Sequence, residues 1–392
     1  MKKIRMGMVG GGEGAFIGAV HRIAAFLDGS IELVCGAFSS DAQRCIASGK
    51  ALYLPEHRCY ATYQEMMIRE AQLAPEQRME FVVIVTPNHL HFPVAKMAIE
   101  YGFHVLSDKP ATTRFDEALL LRKLLEQHDV LYGLTQTYTG YPLIKQARHL
   151  IAQGELGNIV KVVVEYSQGW LALKEDEVSK QASWRLDASK SGISCCMGDI
   201  GVHAANLVEY VAGITITALC ADLTSTVAGR ILDDDGTVIL KFSNGAKGVL
   251  LASQIAIGDE NNLSLRIYGD RKSIEWSQLD PNTLWLKSNT EASQMIRSGV
   301  GEMCPAARQA MRTPAGHPEG YLEAFANIYS NFVRQIRAKQ AGQVCDNRLF
   351  DVPGIEEAIR GMAFIENVVK ANDSDTKWQA FTLGTDTNVG EG

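Results

Sequence analysis

Over its first third the chain alternates short apolar runs with segments whose apolar positions recur every three or four residues. Residues 3–9 read as a strand, 18–27 as a helix carrying Val20, Ile23, Ala24 and Leu27 on one face, and 31–38 as a second strand. This is a βαβ pattern. It continues with helices at 41–49 and 63–70, a strand at 81–85, a helix at 93–101, a strand at 104–107, a helix at 115–127 and a strand at 130–135. Strands that are apolar throughout belong in a parallel sheet covered on both faces and joined by right-handed crossovers. After about Tyr138 the grammar changes. One helix at 142–153, opened by Pro142, leads to a β-branched strand at 159–167, and strands then follow at 216–223, 236–242, 247–253, 264–268, 273–277 and 283–286. Asn244-Gly245 and Gly269-Asp270 sit at hairpin spacing. Helices return at 320–338 and 352–370, and the tail beyond 371 is polar. The pattern predicts an α/β chain: a doubly wound parallel sheet over 1–138, then an α+β domain over 139–392 built on a large, open, mostly antiparallel sheet.

Composition narrows the partners. The 392 residues allow two or three domains at roughly 150 residues each, and 46% hydrophobic content supports a substantial core. Lys and Arg total 38 against 45 Asp and Glu, a net charge of −7 that gives no bulk attraction to nucleic acid or anionic lipid. The longest apolar runs, such as 81–85, fall far short of the roughly 20 residues that cross a bilayer. The basic start at 1–5 runs into a strand and glycines rather than an apolar signal region, and the eight cysteines are scattered with no CxxC pair. A cytoplasmic location is expected. The adjacent Cys195 and Cys196 receive no role, and no metal site is expected.

The first strand runs into Gly10-Gly-Gly12-Glu-Gly14-Ala15-Phe16-Ile-Gly18. Gly10-x-Gly12-x-x-Ala15 fits the dinucleotide pattern in its Gly/Ala form, and Gly12-x-Gly14 with Gly18 offers an overlapping register. Glycines let the backbone approach a pyrophosphate, whose charge meets the N–H groups opening the next helix. Placed between strand and helix, the pattern makes 1–138 a dinucleotide-binding Rossmann domain, with Gly10, Gly12, Gly14, Ala15 and Phe16 at the cofactor. An acid at the end of the second strand marks an NAD site. Here that strand ends Cys35-Gly-Ala-Phe-Ser39-Ser40, with Arg44 one turn further on, where it suits a 2′-phosphate. Asp41 reads as a helix N-cap. The cofactor is therefore NAD(P), with a lean to NADP.

Asp108-Lys109-Pro110 lies at the C-terminal end of a parallel strand, the edge where open α/β sheets bind ligands. A lysine there can give and take a proton, and the following proline permits a cis bond. Gly198-Asp199-x-x-x-His203 sets a carboxylate and an imidazole on one helical face. The same spacing also fits a helix-capping aspartate and a core histidine. A hydroxyl that loses hydride needs a base for its proton.

With these motifs in order, the chain resembles the Gfo/Idh/MocA family of glucose-fructose oxidoreductase, inositol dehydrogenase and rhizopine catabolism proteins. The resemblance spans essentially the whole length: the glycine turn, Thr86-Pro87-Asn88-His89-Leu90-His91, Asp108-Lys109-Pro110 in place of Glu-Lys-Pro, Trp184-Arg185, and Gly198-Asp199-x-x-x-His203. It implies Lys109 and His203 as the catalytic pair, Asp199 on the substrate, Pro87, Asn88 and His91 beside the cofactor, and Trp184-Arg185 near the nicotinamide. Without it, Asn88 reads as a helix-start cap, Trp184 as a core aromatic and Arg185 as a surface charge. Tyr138, His317 and Tyr321 complete the expected substrate contacts. The implied activity is NAD(P)-dependent hydride transfer from a secondary hydroxyl of a sugar, glycoside or cyclitol. Alternatives are a glycosidase-like enzyme with a tightly held, recycled cofactor, and a nucleotide-sensing regulator. A homodimer or homotetramer is implied by resemblance alone. Two departures stand out: Asp108 replaces the usual Glu, and the glycine loop is longer than usual through 13–17.

Overall fold

The computed structural model describes residues 2–174 and 179–384. In chain order they form β1 (Ile4–Gly10), α1 (Phe16–Phe26), β2 (Ile31–Ala37), α2 (Ala42–Ala51), α3 (Tyr63–Ala71), β3 (Phe81–Val85), α4 (His91–Glu100), β4 (His104–Ser107), α5 (Phe115–Gln127) and β5 (Tyr132–Leu134). After these come α6 (Pro142–Ala152), β6 (Ile159–Ser167), α7 (Lys180–Arg185), α8 (Ala188–Ser191), α9 (Val202–Ala212), β7 (Ile216–Thr224), β8 (Asp235–Phe242) and β9 (Lys247–Ser253). The remainder is β10 (Asn262–Gly269), β11 (Lys272–Ser277), β12 (Thr283–Ser288), β13 (Gln294–Arg297), α10 (Pro305–Gln309), α11 (Tyr321–Gln340), α12 (Ile355–Asn372) and β14 (Gln379–Ala380). The end of the polar tail lies outside the described residues.

Two compact units divide the chain: Met1–Tyr141 with Glu319–Ala358, and Pro142–Pro318 with Ile359–Gly392. The sequence pattern drew a single boundary at 138/139, whereas the segment holding α11 packs with the first unit. The reason lies in the first sheet, a parallel array in the order β2-β1-β3-β4-β5. Helices α3, α4 and α5 cover one face, where Met66, Val94, Ala98 and Leu121 meet Val9, Cys35, Val82 and Ile84. On the other face α1 is joined by α11, whose Phe325, Ile328, Phe332 and Ile336 pack with Met6, Met8, Val83 and Val85. The Phe332 ring stands edge-on to Phe81 at 5.7 Å. Because β3 is buried on both sides, its second face needs apolar cover, and α11 supplies it.

Strand order reverses between β1 and β3, the switch point at which doubly wound sheets bind ligands beyond their strand ends. Register sets Gly10 opposite Val85 and Ile84 opposite Ser107, so the glycine turn, the Thr86 segment and Asp108-Lys109 leave the sheet along one edge.

In the second unit one sheet runs β13-β12-β11-β10-β6-β9-β8-β7-β14. The β6/β9 pair is parallel, and the other neighbouring strands in it pair antiparallel. Val162, Val164, Leu263, Leu265 and Ile267 alternate inward beneath α9, which touches β6, β9 and β10. Two edge strands, β13 and β14, escaped the sequence pattern because they are only four and two residues long. Among the described residues no helix is long and apolar enough to cross a membrane.

Candidate active site

The first unit presents its glycine turn between β1 and α1. Gly10 holds φ of +80°, and a Cβ there would lie 2.3 Å from the Val85 carbonyl oxygen. At Gly12 a Cβ would lie 2.8 Å from the Phe38 carbonyl oxygen and 2.9 Å from Ser48 Oγ. Only hydrogen fits at either position. Ala15, extended at the N-cap position, offers no side-chain acceptor, so no cap side chain occupies the first-turn N–H groups of α1, an arrangement suited to an anion. Gly14 borders this opening, and Phe16 is largely exposed. The Arg22 guanidinium donates to the Gly11 carbonyl at 2.6 Å, and the Glu13 N–H donates to Ser48 Oγ at 3.0 Å, fixing the turn from both sides. A backbone cradle that a methyl group would fill, ahead of an uncapped helix, fits the pyrophosphate of a dinucleotide.

Beyond β2, Asp41 acts as the N-cap of α2: its carboxylate accepts the Arg44 N–H at 2.7 Å, while its own N–H donates to Ser39 Oγ at 3.1 Å. The side chains of Ser40 and Arg44 are exposed.

Along the same sheet edge, Pro87 precedes a 3-10 turn, Asn88–Leu90, in which Asn88 is buried. His91, also buried, faces the Pro110 carbonyl through Nδ1 at 2.6 Å and the Thr86 carbonyl through Nε2 at 2.9 Å. Its imidazole therefore braces two loops. Burial pushes the His91 pKa down, and a neutral ring has one N–H for these two acceptors. The Lys109-Pro110 peptide is cis, and Lys109 is half-buried. Asp108 Oδ1 accepts the Lys109 N–H at 2.8 Å and the Thr135 hydroxyl at 3.0 Å. Burial alone would raise the Asp108 pKa, yet the surrounding His21, Lys109 and His91 hold it well below the usual carboxylate range. Tyr138, buried after β5, stacks on Tyr141 at 6.3 Å. Tyr321 stands edge-on to Phe325 at 5.8 Å, against the first unit's core.

The second unit holds Asp199 and His203. The segment Met197–Gly201 is a turn of π-helix running straight into α9, a widened geometry frequent at functional sites. Asp233 shapes its approach. Its carboxylate accepts the Cys195 N–H, the Met197 N–H and the Ser194 hydroxyl, each at 2.9 Å. Asp199 is not the helix cap its spacing also allowed; Cys196 holds that position. Asp199 Oδ2 instead receives Arg185 Nε at 3.1 Å and Gln254 Nε2 at 2.9 Å. Arg185 also donates to Gln181 Oε1 at 2.7 Å and lies 4.3 Å from the Trp184 ring and 5.8 Å from Trp170. The ring of His203, buried, lies 6.4 Å from that of Tyr166.

Of the residues singled out in the sequence, the first unit gathers the glycine turn, Pro87, Asn88, His91 and Lys109 along one edge. Trp184, Arg185 and Asp199 meet in the second unit, with His203 one turn on. His317 is exposed and turns Nδ1 toward the Pro314 and Ala315 carbonyls, both at 3.3 Å. Sequence reading missed His21, Asp233 and Gln254. Only the last carries a faint signal, a polar residue directly after the alternating strand β9. Among the described residues no group of three or more His, Cys, Asp or Glu is placed to hold a metal ion.

Comparison with known proteins agrees with this architecture. Residues 4–136 match the oxidoreductase family with an NAD-binding Rossmann fold, and residues 144–275 match the GFO/IDH/MocA C-terminal domain. An uncharacterized oxidoreductase of Bacillus subtilis, YfiI, is 33% identical over 386 residues, covering 97% of each chain. An oxidoreductase from Sinorhizobium meliloti of known crystal structure is 43% identical with a TM-score of 0.87, covering 97% of this chain and 100% of that one. An inositol dehydrogenase homolog from Azotobacter vinelandii, solved in complex with NADH and myo-inositol, is 32% identical with a TM-score of 0.90, covering 97% and 98%. The chain belongs to the Gfo/Idh/MocA family of NAD-binding oxidoreductases.

Proposed function

We propose that the protein is an NAD(P)-dependent dehydrogenase acting on a secondary hydroxyl of a sugar, glycoside or cyclitol. The observation that carries this reading is the Asp199 carboxylate, gripped on one oxygen by Arg185 and Gln254 and set one turn ahead of His203. A carboxylate fixed in this way accepts hydrogen bonds from the hydroxyls of a polyol, and a neighbouring imidazole takes the proton of the hydroxyl being oxidised. Lys109 assists that proton transfer. We assign Arg185 to holding Asp199.

Gly10, Gly12, Gly14, Ala15 and Phe16 would hold the dinucleotide pyrophosphate, with Pro87, Asn88 and His91 beside it and Trp184 toward the nicotinamide. When bound, the nicotinamide supplies the hydride acceptor. At the ribose end the neutral Ser39 and Ser40 and the exposed Arg44 favour a 2′-phosphate, hence NADP+ over NAD+. Tyr138, Tyr321 and His317 are assigned to the substrate. The outer face of the second sheet, where Trp285 and Met295 are exposed cross-strand partners, supports pairing with a second copy.

The decisive experiment measures initial rates on glucosides, free aldoses, inositols and sugar acids with NAD+ and NADP+ separately. Lys109→Ala abolishes turnover and leaves cofactor affinity nearly intact; retained turnover refutes its role. Arg44→Ala raises KM for NADP+ by about tenfold, the effect of one charge-assisted hydrogen bond, and spares NAD+.

A further inference from the structure

The first unit contains a polar chain that the reaction as proposed does not use. His21, on α1, is completely buried. Its Nδ1 lies 2.7 Å from the Tyr329 hydroxyl, its Nε2 3.7 Å from Asp108 Oδ2, and its ring edge-on to Phe325 at 4.6 Å. The other oxygen of Asp108 carries the Lys109 N–H and the Thr135 hydroxyl. One carboxylate thus ties together the segments following β4 and β5 and faces, across 3.7 Å, the His21 ring of α1, which is itself held to α11 by Tyr329.

An apolar side chain among Phe325 and Tyr329 would fill the His21 slot without the cost of burying an imidazole. The polar choice therefore has a purpose other than packing. A tyrosine, histidine and aspartate in series can relay protons, but the series opens only at Asp108: its far end, Tyr329, is 1% exposed and gives a proton no second outlet to water. What remains is geometry and charge. Arg22, the next residue of α1, donates to the Gly11 carbonyl at 2.6 Å, so one turn of α1 grips the glycine turn with one residue and faces the Lys109 segment with the other.

We propose that His21 and Asp108 are positioning residues for Lys109: together they fix the backbone from which the lysine projects and hold a carboxylate beside it. The inference rests on the reading of Lys109 as catalytic. The charged and titratable groups facing this carboxylate are His21, Lys109, His91 and Tyr329, and Arg22 faces Tyr329. Within that set the Asp108 carboxylate stays ionised through the neutral range.

The test compares Asp108→Asn, Asp108→Glu, His21→Gln, the double variant His21→Gln/Asp108→Asn, and Lys109→Ala. Each is assayed with myo-inositol and with NAD+ and NADP+ in turn, titrated with NADH and NADPH by fluorescence, and crystallised with NADH. Asp108→Asn is expected to lower kcat about 100-fold, the scale of an approximately 1 Å misplacement, while KM for NAD+ and NADH affinity stay within about threefold. Asp108→Glu, whose longer arm closes the gap to His21, recovers activity. The double variant is no slower than Asp108→Asn, because both changes break one unit. In the Asp108→Asn crystals Lys109 Nζ is displaced. A role confined to folding would instead lower the melting temperature and NADH affinity together and leave kcat per folded molecule unchanged. Unmoved Lys109 in those crystals, or additive losses in the double variant, overturns the proposal. Full activity of Lys109→Ala would remove the catalytic reading alone, since the crystals judge positioning separately. If myo-inositol is not turned over, the crystals decide.

Discussion

Gln254 donates its side-chain N–H to Asp199 Oδ2 at 2.9 Å, the same oxygen that takes the Arg185 guanidinium. Gln254 is completely buried, and its own oxygen accepts the Cys195 thiol at 3.4 Å. Burial, with the Asp199 and Asp233 carboxylates nearby, pushes the Cys195 pKa upward, so the thiol stays protonated as the donor. The amide is thereby oriented with its nitrogen toward Asp199. The adjacent cysteines, given no role on sequence grounds, include one that helps to aim a carboxylate.

Replacing that amide by a carboxylate tests the arrangement. Gln254→Glu sets a second negative charge against Asp199 and removes a hydrogen bond to a charged group, worth about 1.5–3 kcal/mol. The expected outcome is a roughly 10- to 100-fold fall in kcat/KM for the polyol, with NADH affinity unchanged. Equal kcat/KM in the variant would show that Asp199 needs no support from this side.

The glycine cradle makes a separate prediction. A Cβ at Gly12 meets the Phe38 carbonyl, which is backbone and cannot swing aside, as well as Ser48 Oγ. Gly12→Ala is therefore expected to raise the NADH dissociation constant by more than about tenfold, equivalent to about 1.4 kcal/mol. Fluorescence titration measures it. An unchanged dissociation constant would place the pyrophosphate elsewhere.

Much of the architecture is legible in the sequence for a physical reason. Strands β3 and β4 occupy the residues that their apolar runs mark, and α5 spans the amphipathic stretch 115–127, because burial on both sheet faces leaves little freedom in such segments. Amphipathicity gives α11 an apolar face without saying which sheet it covers, and the helix rejoins the first unit after eight of the nine strands of the second sheet. The π-turn at Met197–Gly201 is equally silent, since Asp233, a residue distant in sequence, holds the amides leading into it. Lys109, Asp199 and His203, the residues proposed for the chemistry, stand within short motifs that the sequence displays. Their supports, His21 and Gln254, reach them only through tertiary contacts.

His104 links the start of β4 to acid stability. Its Nδ1 accepts the Leu131 N–H at 3.0 Å. Burial first, then the charge of Lys339, bring its pKa from 6.5 down to about 4. Between those values the unfolded chain binds a proton that the native ring refuses, so stability rises with pH there. The contribution is complete above the unfolded value of about 6.5 and is lost progressively as pH falls toward about 4. Protonation at Nδ1 would also remove the acceptor for Leu131. His104→Asn keeps an oxygen to receive that N–H and has no titrating group. Its melting temperature is therefore expected to fall less than that of the wild-type chain when pH is lowered from about 7 to about 5. Thermal melts at the two pH values measure this, and identical acid slopes would mean that His104 is protonated in the native state as readily as in the unfolded one.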